Sequence, residues 1–165
     1  MKLRRRDADF HGYFVDEHAN LQRFAGFLTG DPGAAADLAQ EAFVRLYQRW
    51  GSLHSDPGPY LRRIVVNLVR SEHRRSVVRA LHPVETPAPL PSHGERVDEW
   101  LVLSRALQGL SPVRRAVVVL RFYEDRTEQQ IADLLDRPLN TVKSDLRRAL
   151  SQLRETLQTK EGERA

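Results

Sequence analysis

Apolar residues recur at three- and four-residue steps along most of this chain, and the strict alternation typical of strands does not persist. The pattern therefore predicts an all-α fold. An aromatic-rich stripe over Phe10–Leu28 predicts a first helix, and a second helix is predicted to end near Trp50. After a loop over 51–59, a third helix is expected at roughly 60–80.

Proline and glycine divide the chain into two helical domains. Asp31-Pro32 ends the first break with a capping residue and a first-turn proline. Four prolines and a glycine in residues 81–95 cannot continue a helix and predict an extended spacer. We therefore expect one domain over 7–80, a linker over 81–95, a second domain over 96–158 and a frayed polar tail over 159–165.

The second domain ends in a pattern typical of a helix-turn-helix. Thr127 and Gln130 have the spacing of a capping box, and Pro138 fits the first turn of the next helix. That helix carries one apolar stripe, expected to be buried: Val142, Leu146, Ala149, Leu150, Leu153 and Leu157. A second helix of this kind enters the major groove of DNA.

The opposite face of that helix is polar and basic, and its side chains suit phosphates and base edges. It comprises Asn140, Lys143, Ser144, Arg147, Arg148 and Ser151. An ordinary helical hairpin with a solvated basic face would give the same periodicity. The Thr-Val-Lys-Ser run at the start of the helix favours DNA binding.

Charge along the chain supports two contacts with nucleic acid. The 165 residues carry a net charge of +4, but residues 59–82 hold six basic and one acidic side chain, and 101–165 hold twelve and nine. An acidic spacer lies between these two blocks. Two basic segments on separate domains indicate two places where a polyanion could bind.

Composition argues against several other classes of protein. The absence of cysteine excludes disulfides and thiolate chemistry, the six histidines are scattered, and no phosphate-binding loop is present. We therefore expect no enzymatic activity, no cofactor and no metal site. No apolar run is long enough to cross a membrane and no signal peptide opens the chain, so a cytoplasmic location is expected.

Three motifs then occur in a recognisable order. They are Asp37-Leu-Ala-Gln-Glu-Ala-Phe-Val-Arg-Leu-Tyr47, Pro59-Tyr-Leu-Arg-Arg-Ile-Val-Val-Asn-Leu-Val-Arg-Ser-Glu-His-Arg-Arg75, and Leu110-Ser-Pro-Val-Arg-Arg-Ala-Val-Val-Val-Leu-Arg-Phe-Tyr-Glu-Asp125 before the helix-turn-helix. This order resembles the extracytoplasmic-function sigma factors of bacterial RNA polymerase, over about residues 8–157. It is most similar to the actinobacterial branch that carries the Tyr-Glu-Asp step.

The resemblance implies a sigma factor with two mobile domains and with core RNA polymerase and promoter DNA as partners. It also allows an anti-sigma factor as a further partner. The first domain would bind the polymerase clamp and melt the −10 element, and the second would read the −35 element. The implied clamp-binding residues are Asp37, Gln40, Glu41 and Arg45. A solvated helix face would explain these four residues equally well without the other motifs.

The third helix carries the implied −10 contacts. Asn67 matches the family position that approaches an extruded promoter base, and an amide can both donate to and accept from a base edge. The cations of this helix would hold single-stranded phosphate. They are Arg62, Arg63, Arg70, Arg74 and Arg75. Tyr60 offers a ring for base stacking or, equally, a residue of the core.

The implied −35 contacts lie in the helix-turn-helix. They are Thr127, Asn140, Thr141, Lys143, Ser144, Arg147 and Arg148. Asp136 and Asn140 stand where many relatives have glycine, and Asp145 stands where a basic or amide residue is common. We expect Asp145 on the DNA-facing helix to repel phosphate or accept from a cytosine amino group.

Two other functions fit parts of the pattern. An operator-binding regulator would share the helix-turn-helix, but such proteins usually carry a ligand, phospho-acceptor or dimer module upstream, and residues 7–80 show none. A plain protein-interaction module would leave the two basic blocks unexplained.

Overall fold

The structure, a computed structural model, describes residues 2–81 and 97–164, with side chains at 5–81 and 102–159. These residues are helical and contain no strand, in agreement with the all-α prediction. Seven α-helices follow in order: α1 (Lys2–Thr29), α2 (Pro32–Arg49), α3 (Pro57–Ala80), α4 (Val97–Gln108), α5 (Pro112–Phe122), α6 (Glu128–Leu135) and α7 (Leu139–Arg164). A short 3-10 turn at Trp50–Ser52 follows α2.

Aspartates cap the starts of α2 and α3. The Asp31 carboxylate accepts from the backbone N–H of Gly33, and Asp56 accepts from the N–H of Gly58 in the same way. Helix α3 therefore begins at Pro57, three residues before the predicted start. Prolines are accepted there because the first helical turn has backbone N–H groups with no intrahelical partner.

The apolar residues that recur along the first three helices form the core of the first domain. Leu21, Phe24 and Leu28 of α1 are fully buried, and they belong to one apolar cluster with Leu46 of α2 and Leu61 of α3. Tyr47 lies on the helical period of the apolar side of α2, but it is 41% exposed. Its hydroxyl donates to Asp7 from the rim of the helix pair instead.

The helix-turn-helix forms as predicted at its start and differs at its end. The capping box is present, because Thr127 accepts from the Gln130 N–H while the Gln130 side chain accepts from the Thr127 N–H. Asp136 ends α6 in the left-handed region, with φ of 52°. Helix α7 continues to Arg164, past the expected end at 158, and Leu157 is 39% exposed rather than buried.

The two halves of the chain pack against each other and share one apolar cluster, in which residues of α1–α3 join residues of α5–α7. Arg115 of α5 ties them together. It is buried and donates to the carbonyl oxygens of Leu107, Leu110 and Leu28, the last on α1. Burial lowers the pKa of Arg115 to about 10, so it stays charged at neutral pH. The predicted linker lies, from residue 82 onward, outside the described residues.

Candidate polymerase and nucleic-acid interfaces

The predicted clamp-binding residues all lie on one exposed face of α2. Asp37, Gln40, Glu41 and Arg45, called the α2 polar face below, are exposed while Ala39, Ala42 and Leu46 are buried behind them. Glu41 accepts from Arg45 one helical turn away, and both side chains are about half exposed. Such an exposed pair contributes little to stability, so these side chains are available to a partner.

The C-terminal part of α3 extends beyond the core of its domain. Residues 72–81 are all exposed, as are Asn67 and Arg70 before them. We call Asn67, Arg70, Arg74 and Arg75 the α3 basic face. Glu72 opposes it in part by pairing with Arg75 and Arg79. Four of the seven −10 residues predicted from the sequence are therefore brought together on accessible surface.

Arg62 is not part of that surface. It is buried between the domains, where its Nε is 2.9 Å from Glu124 Oε1 and its Nη1 is 2.7 Å from Glu17 Oε2. Burial lowers the pKa of Arg62, but the carboxylates of Glu124 and Glu17 raise it by more, so the net shift is upward. Arg62 therefore joins α3 to α1 and to the segment after α5.

Arg63 also faces the second domain. Its Nε donates to the Leu134 carbonyl at 2.6 Å and its Nη2 donates to the Asp133 carbonyl at 2.7 Å, at the C-terminal end of α6. Beside it lies an open cavity of about 490 Å³ between the 53–60 segment and α6, with Tyr60 in its wall. Tyr60 is half-buried and packs on the edge of the core, so its position agrees with both roles considered for it.

The outward residues of α7 lie where the helical period puts them. Asn140, Lys143, Arg147, Arg148 and Ser151 are exposed, while Val142, Leu146 and Ala149 are buried. We call Asn140, Lys143, Arg147 and Arg148 the recognition face. Thr141 and Ser144 lie at its edge, half-buried, with the Ser144 hydroxyl donating to the Thr141 carbonyl. The Thr127 hydroxyl oxygen accepts from the Gln130 N–H in the N-terminal cap of α6.

Asp145 departs from its expected position. Its side chain is only 12% exposed and is turned towards Arg114 of α5 and Arg137 of the turn. The expectation that this carboxylate faces DNA is therefore wrong. A buried carboxylate requires charged or hydrogen-bonding partners, and two arginines from outside α7 supply them.

The surfaces on α2, α3 and α7 fall within two segments that match family models. Residues 14–77 match sigma-70 region 2, and residues 100–153 match sigma-70 region 4. The RNA polymerase sigma-E factor of Streptomyces coelicolor is 36% identical over 155 residues, covering 90% of this chain and 86% of that protein. The ECF RNA polymerase sigma factor SigL of Mycobacterium tuberculosis is 34% identical over 152 residues, covering 87% and 86%. The chain belongs to the extracytoplasmic-function sigma factors.

Solved structures agree with the fold of this sigma factor. The sigma factor RpoE of Bartonella quintana, crystallised with the anti-sigma factor NepR, matches with a TM-score of 0.74 at 23% identity, covering 91% of this chain and 97% of that one. CnrH, in complex with the cytosolic domain of CnrY, matches with a TM-score of 0.71 at 17% identity, covering 93% and 90%. An operator-binding regulator is not favoured, because the first half of this sigma factor matches region 2.

Sequence reasoning missed the residues of this sigma factor that hold its two halves together. Glu17 and Arg115 are charges in amphipathic helices, and local periodicity assigns them no partner. Glu124 belongs to the Tyr-Glu-Asp step, which in the sequence indicates only the family branch. Among the described residues, no helix has the length and apolarity needed to cross a membrane.

Proposed function

We propose that this sigma factor, which serves in transcription initiation, binds polymerase and promoter DNA through three separate surfaces. The α2 polar face binds the clamp of core RNA polymerase, the α3 basic face opens the −10 element, and the recognition face reads the −35 element. The observation that carries the proposal is the placement of exposed polar and basic side chains on three helices whose opposite faces close the core. As a polymerase subunit it would act in the cytoplasm.

The α2 polar face suits a protein partner better than DNA. It presents two carboxylates, an amide and one arginine, so its net charge is negative and phosphate would be repelled. Next to it lies an apolar groove of about 620 Å³. It is lined by Phe10 and Phe14 of α1 and by Phe43, Val44 and Tyr47 of α2. Polar residues around an apolar patch are typical of a protein–protein interface.

The sequence predicts seven −10 residues, and four of them are exposed. Asn67, Arg70, Arg74 and Arg75 are accessible, whereas Arg62 and Arg63 bind groups of the second domain. Contact of Arg62 and Arg63 with promoter DNA therefore requires the two domains to separate. We include that separation in the proposal, with Asn67 reading a base and the arginines holding phosphate.

An anti-sigma factor is a reasonable further partner. Two structures of similar fold were solved as complexes, RpoE with the anti-sigma factor NepR and CnrH with the cytosolic domain of CnrY. A protein that bound the packed arrangement of the two domains more tightly than the separated one would shift this chain towards the packed form.

Transcription in vitro with purified core polymerase tests the division of work. Gln40→Lys and Glu41→Lys together should reduce capture of core polymerase and promoter-dependent transcripts, because they reverse the polarity of the α2 polar face. Asp16→Lys is the matched control, since Asp16 is an exposed carboxylate on α1. Equal capture of core by the double variant and the control would assign the clamp contact to another surface.

A further inference from the structure

Asp145 has an unusual place for a carboxylate in a DNA-binding helix. It lies on α7 between the exposed Lys143 and Arg147, yet its side chain is only 12% exposed. Its Oδ1 is 3.4 Å from Arg114 Nε and its Oδ2 is 3.2 Å from Arg137 Nη1. One carboxylate therefore bridges two guanidinium groups from α5 and from the turn before α7.

Both arginines keep donors available after binding Asp145. An arginine has five N–H groups, and within the described residues each of these two side chains donates one hydrogen bond, to Asp145. Their side chains are 30% and 35% exposed. Within this cluster of three side chains, two cations face one anion, and its net charge is positive.

The backbone also fixes Arg137 at the end of α7 that carries the recognition face. Its N–H donates to the Ala132 carbonyl at 2.9 Å, and the preceding Asp136 adopts φ of 52°. Pro138 follows directly, and its carbonyl accepts the first hydrogen bonds of α7. The start of a helix attracts anions through its free N–H groups and dipole. Arg137 directly precedes that start, and its guanidinium reaches from there to Asp145.

We propose that Asp145 is a positioning residue, which holds Arg114 and Arg137 so that both guanidinium groups bind backbone phosphates of the −35 duplex. This inference rests on the proposed −35 function of the second domain. The expected repulsion between a carboxylate and DNA is small here, because Asp145 is largely shielded from solvent and is neutralised by its two partners. Without the carboxylate, the two long arginine side chains sample more rotamers. DNA binding must then order them, which costs binding free energy.

The test uses holoenzyme, assembled from core polymerase and the full chain, and a set of labelled −35 duplexes measured by fluorescence anisotropy over a salt series. Asp145→Asn should weaken binding about three- to tenfold on every sequence, leave their ranking unchanged and flatten the salt dependence. Asp136→Asn removes the same charge from the exposed turn, and asparagine tolerates its left-handed backbone. It should bind as tightly as the wild type or slightly more tightly.

A second background separates positioning from a general effect on folding. In a chain carrying Arg114→Ala and Arg137→Ala, Asp145→Asn should cause no further loss of affinity, because the side chains that it positions are gone. An undiminished loss in that background, or binding by Asp145→Asn as tight as by Asp136→Asn, would overturn the positioning role. If the second domain did not read the −35 element at all, a different result is expected, because wild-type holoenzyme would then bind all the duplexes with equal affinity.

Discussion

Arg147 and Arg148 are neighbours on α7 and both are exposed, but one helical step turns them about 100° apart. Arg147 lies four residues after Lys143 and shares its side of the helix, whereas Arg148 lies further round. We expect Arg147→Ala to change the ranking of −35 sequences, because a side chain near the base edges carries sequence information. Arg148→Ala should lower use of all sequences about equally.

A promoter-library selection with core polymerase measures both variants at once. A ranking unchanged by Arg147→Ala would mean that this side of the helix does not reach the bases. A ranking altered by Arg148→Ala would mean that the helix is rotated in the groove relative to our placement.

The same helix shows how far a single position can be predicted. Asp145 lies three residues after Val142 and four before Ala149, so helical spacing alone puts it beside the buried stripe. Its acidic character argued for exposure instead, and the arginines that make its burial acceptable come from other elements. The recognition face was predictable because every residue in it obeys both spacing and polarity.

Among the elements, α6 is short and depends on its first turn. Thr127→Ala should lower the free energy of unfolding by about 1 kcal/mol, because the Gln130 N–H loses its acceptor. Ser111→Ala is a matched control, since Ser111 occupies the same position before α5 without making a side-chain cap. Urea unfolding of the full chain compares them, and equal effects would show that the capping box adds nothing to stability.

The capping box was predictable from sequence because both of its hydrogen bonds are local. The start of α3 is harder to predict from the sequence, because Pro59 fits the end of a loop as well as the first turn of a helix. The structure places Pro57 and Pro59 together in the first turn, after the Asp56 cap. Leu157 obeys the stripe of α7, but the described residues cover it only in part, and periodicity carries no information about where a packing partner ends.

For the whole molecule, Glu124 is the acidic residue whose loss should matter most to the packing of the two domains. Glu124→Gln should lower the free energy of unfolding by about 2 kcal/mol, less than for a fully orphaned buried charge because Glu17 still pairs with Arg62. It should also increase the radius of gyration in small-angle scattering. Asp125→Asn is the control, since that side chain is 99% exposed, and it should change stability by less than about 0.5 kcal/mol.

Identical scattering and stability for the Glu124 and Asp125 variants would mean that the pairing of Glu124 with Arg62 does not hold the domains together. The sequence could not predict this packing, because Arg62 and Glu124 are separated by 62 positions and Arg63 and Leu134 by 71. Local periodicity identifies each helix and its buried side. It does not indicate which charged residues of one domain will meet those of the other.

The contacts of Arg63 imply that α6 of the second domain and the promoter compete for this side chain. In the packed chain its guanidinium satisfies two peptide carbonyls of α6, and on the proposed function it would satisfy phosphate oxygens instead. Opening is then an exchange of acceptors, in which the arginine need not pass through a state without one. Salt weakens the DNA side of this exchange most, so rising ionic strength should shift the equilibrium towards the packed form.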